Sequence, residues 1–268
     1  MKKTRIDRKF AELSKQEKKG FVAYLSAGDP NLNDTIDIVL RLEDAGVDVV
    51  ELGLPFSDPL ADGRVNQEAA TRALEAGSTF DGVMECVAKI RERSEIPMLF
   101  YAYMNPLLAR GYESSISASA EAGVDGFLLL DLPLEEARPY RAALTNNALN
   151  AIQLVTPTTP DGRIDKIVKQ ANGFIYCVSR EGVTGVQDSI AEGAGGLVQR
   201  IKDRTKLPVA MGFGIGTAEQ ARDAAKLADA VVVGSAIVNA FNDRPQTAEG
   251  RADAAAFVGE MVKAVKEI

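Results

Sequence analysis

The chain contains no histidine and no tryptophan among its 268 residues. The absence of histidine excludes a Ser-His-Asp triad, a Cys-His pair, and the zinc, copper and non-haem iron sites that use imidazole ligands. Proton transfer near neutral pH must therefore use carboxyl groups, lysine, tyrosine, cysteine or water. These groups titrate well away from pH 7 unless burial or a neighbouring group shifts their pKa.

Cysteine is scarce, and long apolar runs are missing. Cys86 and Cys177 stand in separate apolar contexts, which predicts buried free thiols rather than a disulfide framework. No run reaches the length of a membrane span, and the charged amino-terminal segment lacks the apolar core of a signal peptide. The net charge of −7 disfavours a nucleic-acid-binding surface. We therefore expect a cytoplasmic protein that binds neither membranes nor nucleic acids.

Eight short apolar runs recur along the chain, separated by loops rich in Gly, Pro and Asp and by segments with helical periodicity. The runs rarely alternate with polar residues, which is typical of parallel strands buried on both faces. They span residues 21–27, 47–54, 97–103, 126–132, 151–156, 173–179, 208–214 and 230–234. This pattern predicts an α/β protein with a single (β/α)8 TIM-barrel domain over residues 1–268, with a doubly wound open sheet as the alternative.

Helical spacing of Ile6, Phe10 and Leu13 predicts an extra amino-terminal helix before the first strand. Two further helices end at an Ala-Gly-Val-Asp string, where Gly46 and Gly123 are expected to adopt the left-handed conformation that stops a helix. Helices are expected at residues 32–45, 113–122, 217–228 and 248–268, with a short extra helix after the eighth strand.

Two carboxyl groups mark the exit of the second predicted strand. Glu51 lies inside an apolar run, which predicts either an ion pair with an arginine or an acid/base whose pKa is raised by burial. Asp62 follows in a loop with Pro, Gly and Ser, where an Asx turn is the purely structural alternative. Because TIM barrels carry their chemistry at the carboxyl ends of the strands, this pair predicts acid/base catalysis.

Glycine is concentrated at the exits of the last two predicted strands. Gly212 and Gly214 leave the seventh strand, and Gly234 and Ser235 leave the eighth. Backbone N–H groups and a helix N-terminus at these exits predict a phosphate site. The long polar loop after the sixth strand is expected to form a lid. The residues alone thus predict a phosphate-binding barrel enzyme without naming its substrate.

Several strings match one protein family in order and spacing. The longest is Glu-Leu-Gly-Leu-Pro-Phe-Ser-Asp-Pro-Leu-Ala-Asp-Gly at residues 51–63. Shorter ones are Gly-Asp-Pro at 28–30, Asn-Pro at 105–106, Asp-Leu-Pro at 131–133, Ser-Arg-x-Gly-Val-Thr-Gly at 179–185, Gly-Phe-Gly-Ile at 212–215 and Gly-Ser-Ala-Ile-Val at 234–238. By these strings the chain resembles the tryptophan synthase alpha subunit family.

The resemblance implies retro-aldol cleavage of indole-3-glycerol phosphate to indole and glyceraldehyde 3-phosphate, without a metal or an organic cofactor in this chain. Glu51 would protonate indole C3 and help to remove the glycerol hydroxyl proton, and Asp62 would accept the indole N–H. Thr184 would be the lid residue that bonds this aspartate. The indole walls would be Tyr24, Tyr103, Leu128, Phe213 and Val232, with Tyr176 beside the glutamate; Gly185, Gly214, Gly234 and Ser235 would hold the phosphate.

The resemblance also implies an α2β2 assembly with a beta subunit that contains pyridoxal phosphate and receives indole through a tunnel. Its contact surface here would include Asp58, Pro59, Asn105, Asp131 and Pro133. The loop that carries the first two of these also carries the candidate catalytic aspartate, so we expect partner binding to influence catalysis.

One segment departs from the family pattern. Where the family usually has Pro-x-Ile-Gln, this chain has Arg64-Val65-Asn66-Gln67. The Asn66 amide would face the indole ring, at a cost of about 1–3 kcal/mol if unpaired. Arg64 removes a proline that would stiffen the loop. We expect altered affinity or loop order with the acid/base pair intact.

Three other functions stay open at this point. A stand-alone lyase that releases free indole would differ in not co-purifying with a beta subunit. An isomerase of a ribulose-phosphate-type substrate would not need the string at 51–63. A non-catalytic subunit that activates its partner would not need Glu51 or Asp62, and both are present.

Overall fold

A closed barrel of eight parallel strands forms the centre of the molecule. The computed structural model describes residues 3–178, 193–212 and 214–268. Each strand pairs with its neighbours in chain order, and the last pairs with the first. The strands are β1 (Gly20–Ser26), β2 (Val49–Gly53), β3 (Met98–Ala102), β4 (Gly126–Leu129), β5 (Asn150–Val155), β6 (Ile175–Val178), β7 (Val209–Gly212) and β8 (Ala230–Val233). The predicted TIM barrel is confirmed, and closure excludes the open sheet.

Twelve helices lie in the part of the chain that the structure describes. They are α1 (Arg5–Lys15), α2 (Leu32–Asp44), α3 (Arg64–Glu75), α4 (Phe80–Arg91), α5 (Met104–Arg110), α6 (Tyr112–Ala122), α7 (Arg138–Asn146), α8 (Asp161–Gln170), α9 (Ala194–Lys202), α10 (Ala218–Leu227), α11 (Ser235–Asn242) and α12 (Ala248–Lys266). The extra helices at the amino terminus and after β8 are both confirmed. Gly46 and Gly123 follow their helices with φ of 92° and 106°, as predicted.

The strands bury both of their faces. Outward-facing side chains such as Phe21, Phe100 and Phe127 pack against the surrounding helices. Inward-facing side chains fill the barrel together with Phe10 and its apolar neighbours on α1. The Phe10 ring lies 5.4 Å from that of Phe174. Helix α1 therefore closes the amino-terminal end of the barrel with apolar side chains.

Three aspartates tie the strands together at this amino-terminal end. Asp48, Asp125 and Asp229 lie immediately before β2, β4 and β8, respectively. The carboxylate of each accepts a backbone N–H from the preceding strand of the barrel. The donors are Phe21 at 2.8 Å, Met98 at 3.0 Å and Val209 at 2.9 Å, respectively. Each carboxylate also meets a cation, respectively Lys266, Arg91 and Lys202. The polar groups of this end are thus used to fix the barrel.

Candidate active site

Glu51 lies in the interior of the barrel near the carboxyl end of β2. Its neighbours in register are Tyr24 on β1 and Leu99 on β3. The side chain is 1% exposed, and within the described residues its Oε1 has no hydrogen-bond partner and no cation pairs with it. Burial raises the pKa of Glu51 to about 8, so its carboxyl group is mostly protonated at pH 7. The predicted buried acid is what the structure shows, rather than a glutamate paired with an arginine.

Asp62 occupies a different environment in the loop between β2 and α3. The Tyr101 hydroxyl donates to its Oδ1 at 2.8 Å, and the Tyr103 hydroxyl donates to its Oδ2 at 2.9 Å. Burial, the larger effect, raises the pKa of Asp62, whereas the hydrogen bonds from Tyr101 and Tyr103 lower it by stabilising the charged form. The carboxylate therefore bonds two tyrosine hydroxyls, and the Asx-turn alternative does not describe it.

The loop around Asp62 is fixed from two sides. The Tyr103 hydroxyl, besides donating to the carboxylate, accepts the backbone N–H of Ala61 at 3.0 Å. On α3, the Arg72 guanidinium makes two hydrogen bonds to the Asp29 carboxylate, at 2.9 and 2.7 Å. Asp29 follows β1, so this pair anchors the helix to the neighbouring strand exit. The geometry of Asp62 thus depends on contacts from β1 and β3.

Tyrosine side chains surround the two acids inside the barrel. Tyr24 and Tyr101 pack edge to face with ring centroids 5.0 Å apart. A Cβ atom added to Gly53 would lie 2.6 Å from the Tyr24 hydroxyl, and one added to Gly212 would lie 2.6 Å from the Tyr176 hydroxyl. Glycine at these two positions therefore makes room for the hydroxyl groups. Burial and the nearby carboxyl groups raise the tyrosine pKa values, which keeps the hydroxyls protonated as donors.

The other predicted wall residues line the same interior. Leu128 and Val232 are buried among the inward-facing apolar side chains of the barrel. Leu128 is the register partner of Tyr101 across β3 and β4. Tyr103 is buried, and its ring packs 5.4 Å from that of Phe56. Phe213, the remaining predicted wall residue, lies outside the described residues.

The predicted phosphate residues are placed at the exits of β7 and β8. Gly234 packs against Tyr24, because a Cβ atom at Gly234 would lie 3.6 Å from that of Tyr24. Ser235 is exposed and opens α11, whose first turn carries no acidic residue and no side-chain cap. Gly214 has a φ of 77°, in the left-handed region. Thr184 and Gly185 lie outside the described residues.

One residue of the site was missed, and one departs from the family pattern. Tyr101 was not singled out, although its spacing of two from Tyr103 is the period that places side chains on one face of a strand. For Asn66, an amide without a partner would be costly, and in the structure its Oδ1 is buried without a hydrogen-bond partner among the described residues.

Two other kinds of feature are absent from the described part of the chain. No group of three or more Cys, Asp or Glu side chains there is arranged to hold a metal ion. No helix in that part is long and apolar enough to cross a membrane.

The closed barrel, with two carboxyl groups in unlike environments at its carboxyl end, is that of an enzyme of the TIM-barrel class. The model of the family "tryptophan synthase alpha chain" matches residues 10–266. The chain is 47% identical to the tryptophan synthase alpha chain of Opitutus terrae over 264 residues, which are 98% of this chain and 99% of the relative. It is 42% identical to that of Caulobacter vibrioides over 268 residues, 99% of this chain and 98% of the relative.

Solved structures agree with the sequence matches. The tryptophan synthase subunit alpha of Legionella pneumophila superposes with a TM-score of 0.90 at 34% identity, covering 99% of this chain and 100% of that one. A chain of Mycobacterium tuberculosis tryptophan synthase gives 0.89 at 30% identity, covering 98% of each chain. The chain belongs to the tryptophan synthase alpha chain family. It is an enzyme of the family that cleaves indole-3-glycerol phosphate to indole and glyceraldehyde 3-phosphate in tryptophan biosynthesis.

The burial of Glu51 predicts a pH-dependent stability cost. The pKa of Glu51 rises from 4.5 to about 8 on folding, so the folded state holds this proton more tightly and loses stability as pH rises between these values. We expect Glu51→Gln to gain stability over the wild type by roughly 1.4 kcal/mol per pH unit in this window. Urea unfolding at pH 5.5, 7 and 8.5 measures the difference. Glu75→Gln, at an exposed site, is the control, and a pH-independent Glu51→Gln difference would contradict the expectation.

Proposed function

We propose that this chain cleaves indole-3-glycerol phosphate with Glu51 as the acid/base and Asp62 as the acceptor of the indole N–H. One observation carries the proposal: two carboxyl groups at the same end of the barrel lie in opposite hydrogen-bonding environments. Glu51 has no donor among the described residues and holds its proton at pH 7. Asp62 accepts two hydrogen bonds that favour its charged form.

The reaction needs one proton delivered and one removed. Glu51 donates its proton to indole C3, and positive charge develops at the ring nitrogen, where the Asp62 carboxylate stabilises it. The hydroxyl on the carbon attached to C3 then gives its proton to the Glu51 carboxylate. The O–H electrons form the aldehyde carbonyl, and the electrons of the broken C–C bond return to the ring. Glu51 is thereby reprotonated, and no metal or organic group takes part in this scheme.

The buried interior supports placing the indole ring between the tyrosine layer and the apolar wall. Tyr24, Tyr103 and Tyr176 offer aromatic surface around the acids, and Leu128 and Val232 offer aliphatic surface. Apolar surroundings also keep water from the glutamate, which maintains its raised pKa. By the resemblance, Phe213 would add to this wall, and Thr184 would close onto Asp62 from the lid.

We further propose that the substrate phosphate binds at the exits of β7 and β8. The N-terminus of α11 presents backbone N–H groups that no side chain caps, and no acidic residue in its first turn repels an anion. Gly214, Gly234 and Ser235 would surround the phosphate, with Gly185 contributing from the lid.

A beta subunit that carries pyridoxal phosphate is the proposed partner, in an α2β2 assembly. The carboxyl end of the barrel exposes the predicted contact residues Asp58 and Asn105. Two apolar side chains lie beside them, Leu60 at 85% exposure and Leu108 at 52%. Exposed leucines next to a functional site are typical of a protein-binding surface. The buried free thiols are consistent with our proposal of a cytoplasmic location. The net charge of −7 is consistent with our proposal that the chain has no nucleic-acid partner.

The acid/base assignment predicts severe and unequal losses of lyase activity. Glu51→Gln removes the transferable proton and is expected to lower kcat at least 1,000-fold, an order of magnitude typical of lost general acid–base catalysis. Asp62→Asn removes charge stabilisation and is expected to lower kcat about 100-fold. Indole release is followed by fluorescence excited at long wavelength, to which a chain without tryptophan contributes little. Retention of a tenth of wild-type turnover by Glu51→Gln would remove it from the central role.

The phosphate proposal predicts a defect in KM. Ser235→Asp places a negative charge at the start of α11, which the helix dipole tolerates but a bound phosphate does not. We expect KM for indole-3-glycerol phosphate to rise at least 10-fold while the melting temperature stays within about 2 °C of the wild type. Thr247→Asp, which keeps the helix cap of α12 and adds the same charge elsewhere, is the control. An unchanged KM would place the phosphate elsewhere.

The partner surface predicts a selective loss of association. Leu60→Asp puts a charge at the centre of the proposed contact, and we expect its Kd for a tryptophan synthase beta subunit to rise at least 10-fold by calorimetry. Leu227→Asp, at a half-exposed leucine at the end of α10, is the matched control and should bind normally. Equal affinities of the two variants would argue against this surface.

A further inference from the structure

Asp62 accepts more hydrogen bonds than are needed to fix its loop. Tyr103 alone bonds both the carboxylate and the backbone N–H of Ala61. Tyr101 adds a bond to the other carboxylate oxygen, at 2.8 Å. A carboxylate offers about four acceptor positions, so these two donors leave positions for a ligand.

The surroundings of Asp62 make its charge depend on these donors. The titratable groups that face it are Tyr24 from β1, Glu51 from β2, Tyr101 and Tyr103 from β3 and its end, and Tyr176 from β6. None of these groups is cationic. Hydrogen bonds are thus the interactions in the described structure that favour a charged Asp62 against burial.

We propose that Tyr101 is a positioning residue for Asp62, which together with Tyr103 fixes its carboxylate and leaves an acceptor position for the indole N–H. The inference rests on the proposed role of Asp62 in the reaction. The two tyrosine hydroxyls bond different oxygens of the carboxylate. Tyr101 acts through Asp62.

The first test removes only the Tyr101 hydroxyl. Because this donor favours the charged form, Tyr101→Phe should move the acid limb of the kcat/KM profile for indole-3-glycerol phosphate upward by about one pH unit. Activity on the alkaline side of this limb should stay within about threefold of the wild type, and the melting temperature should change little. Tyr112→Phe is the matched control, because its hydroxyl bonds the Glu113 carboxylate on the surface, at 3.3 Å.

The second test measures Asp62→Asn alongside and separates the two levels of inference. A merely structural Tyr101 hydroxyl would lower the melting temperature and leave the acid limb in place. If Asp62→Asn loses activity but Tyr101→Phe does not shift the acid limb, the positioning proposal is wrong and the proposed function survives. If Asp62→Asn turns over like the wild type, the proposed role of Asp62 fails, and the positioning role fails with it.

Discussion

The desolvation of one carboxyl group, that of Glu51, is the constraint on which the rest of the site depends. A glutamate in water would be ionised at pH 7 and could not serve as an acid there. The barrel interior removes it from water and, in the described structure, offers its Oε1 no donor, so its proton is retained to about pH 8. This environment requires apolar packing on every side. Helix α1 supplies part of it by closing the far end of the barrel with Phe10 and its neighbours.

Carboxyl groups lie in opposite electrostatic environments at the two ends of the barrel. At the amino-terminal end, Asp48 and Asp125 accept backbone N–H groups and pair with cations, so their charges are compensated and fix the strands. At the carboxyl end, Glu51 is left uncompensated within the described residues and Asp62 is compensated by neutral donors only. The paired aspartates at the amino-terminal end stabilise the barrel. This stability allows the unfavourable burial of a carboxyl group at the carboxyl end.

Much of this arrangement could be predicted from the sequence, and the limits of prediction are physical. The apolar runs and the glycines at 46 and 123 report local burial and backbone conformation, so the strands, helix ends and barrel followed from them. Glu51 could be identified from the sequence, because its charged side chain interrupts an apolar run. The contacts of Asp62 could not be predicted, because Tyr101 and Tyr103 lie on β3 and at its end, and only the folded barrel brings them to the loop after β2. The strands are also shorter than several of the runs, because their terminal residues already belong to loops.

A chain without histidine must divide between two carboxyl groups the tasks that an imidazole often combines. One group must be neutral near pH 7 to donate a proton, and the other must be charged to stabilise a developing cation. Two carboxyl groups can meet both demands only if their environments differ. Here the environments differ in the number of hydrogen-bond donors. Glu51 has none among the described residues, whereas Asp62 has two. The tyrosine hydroxyls are suited to this role because they are neutral: a nearby arginine would also have favoured ionisation of Glu51 and removed its proton.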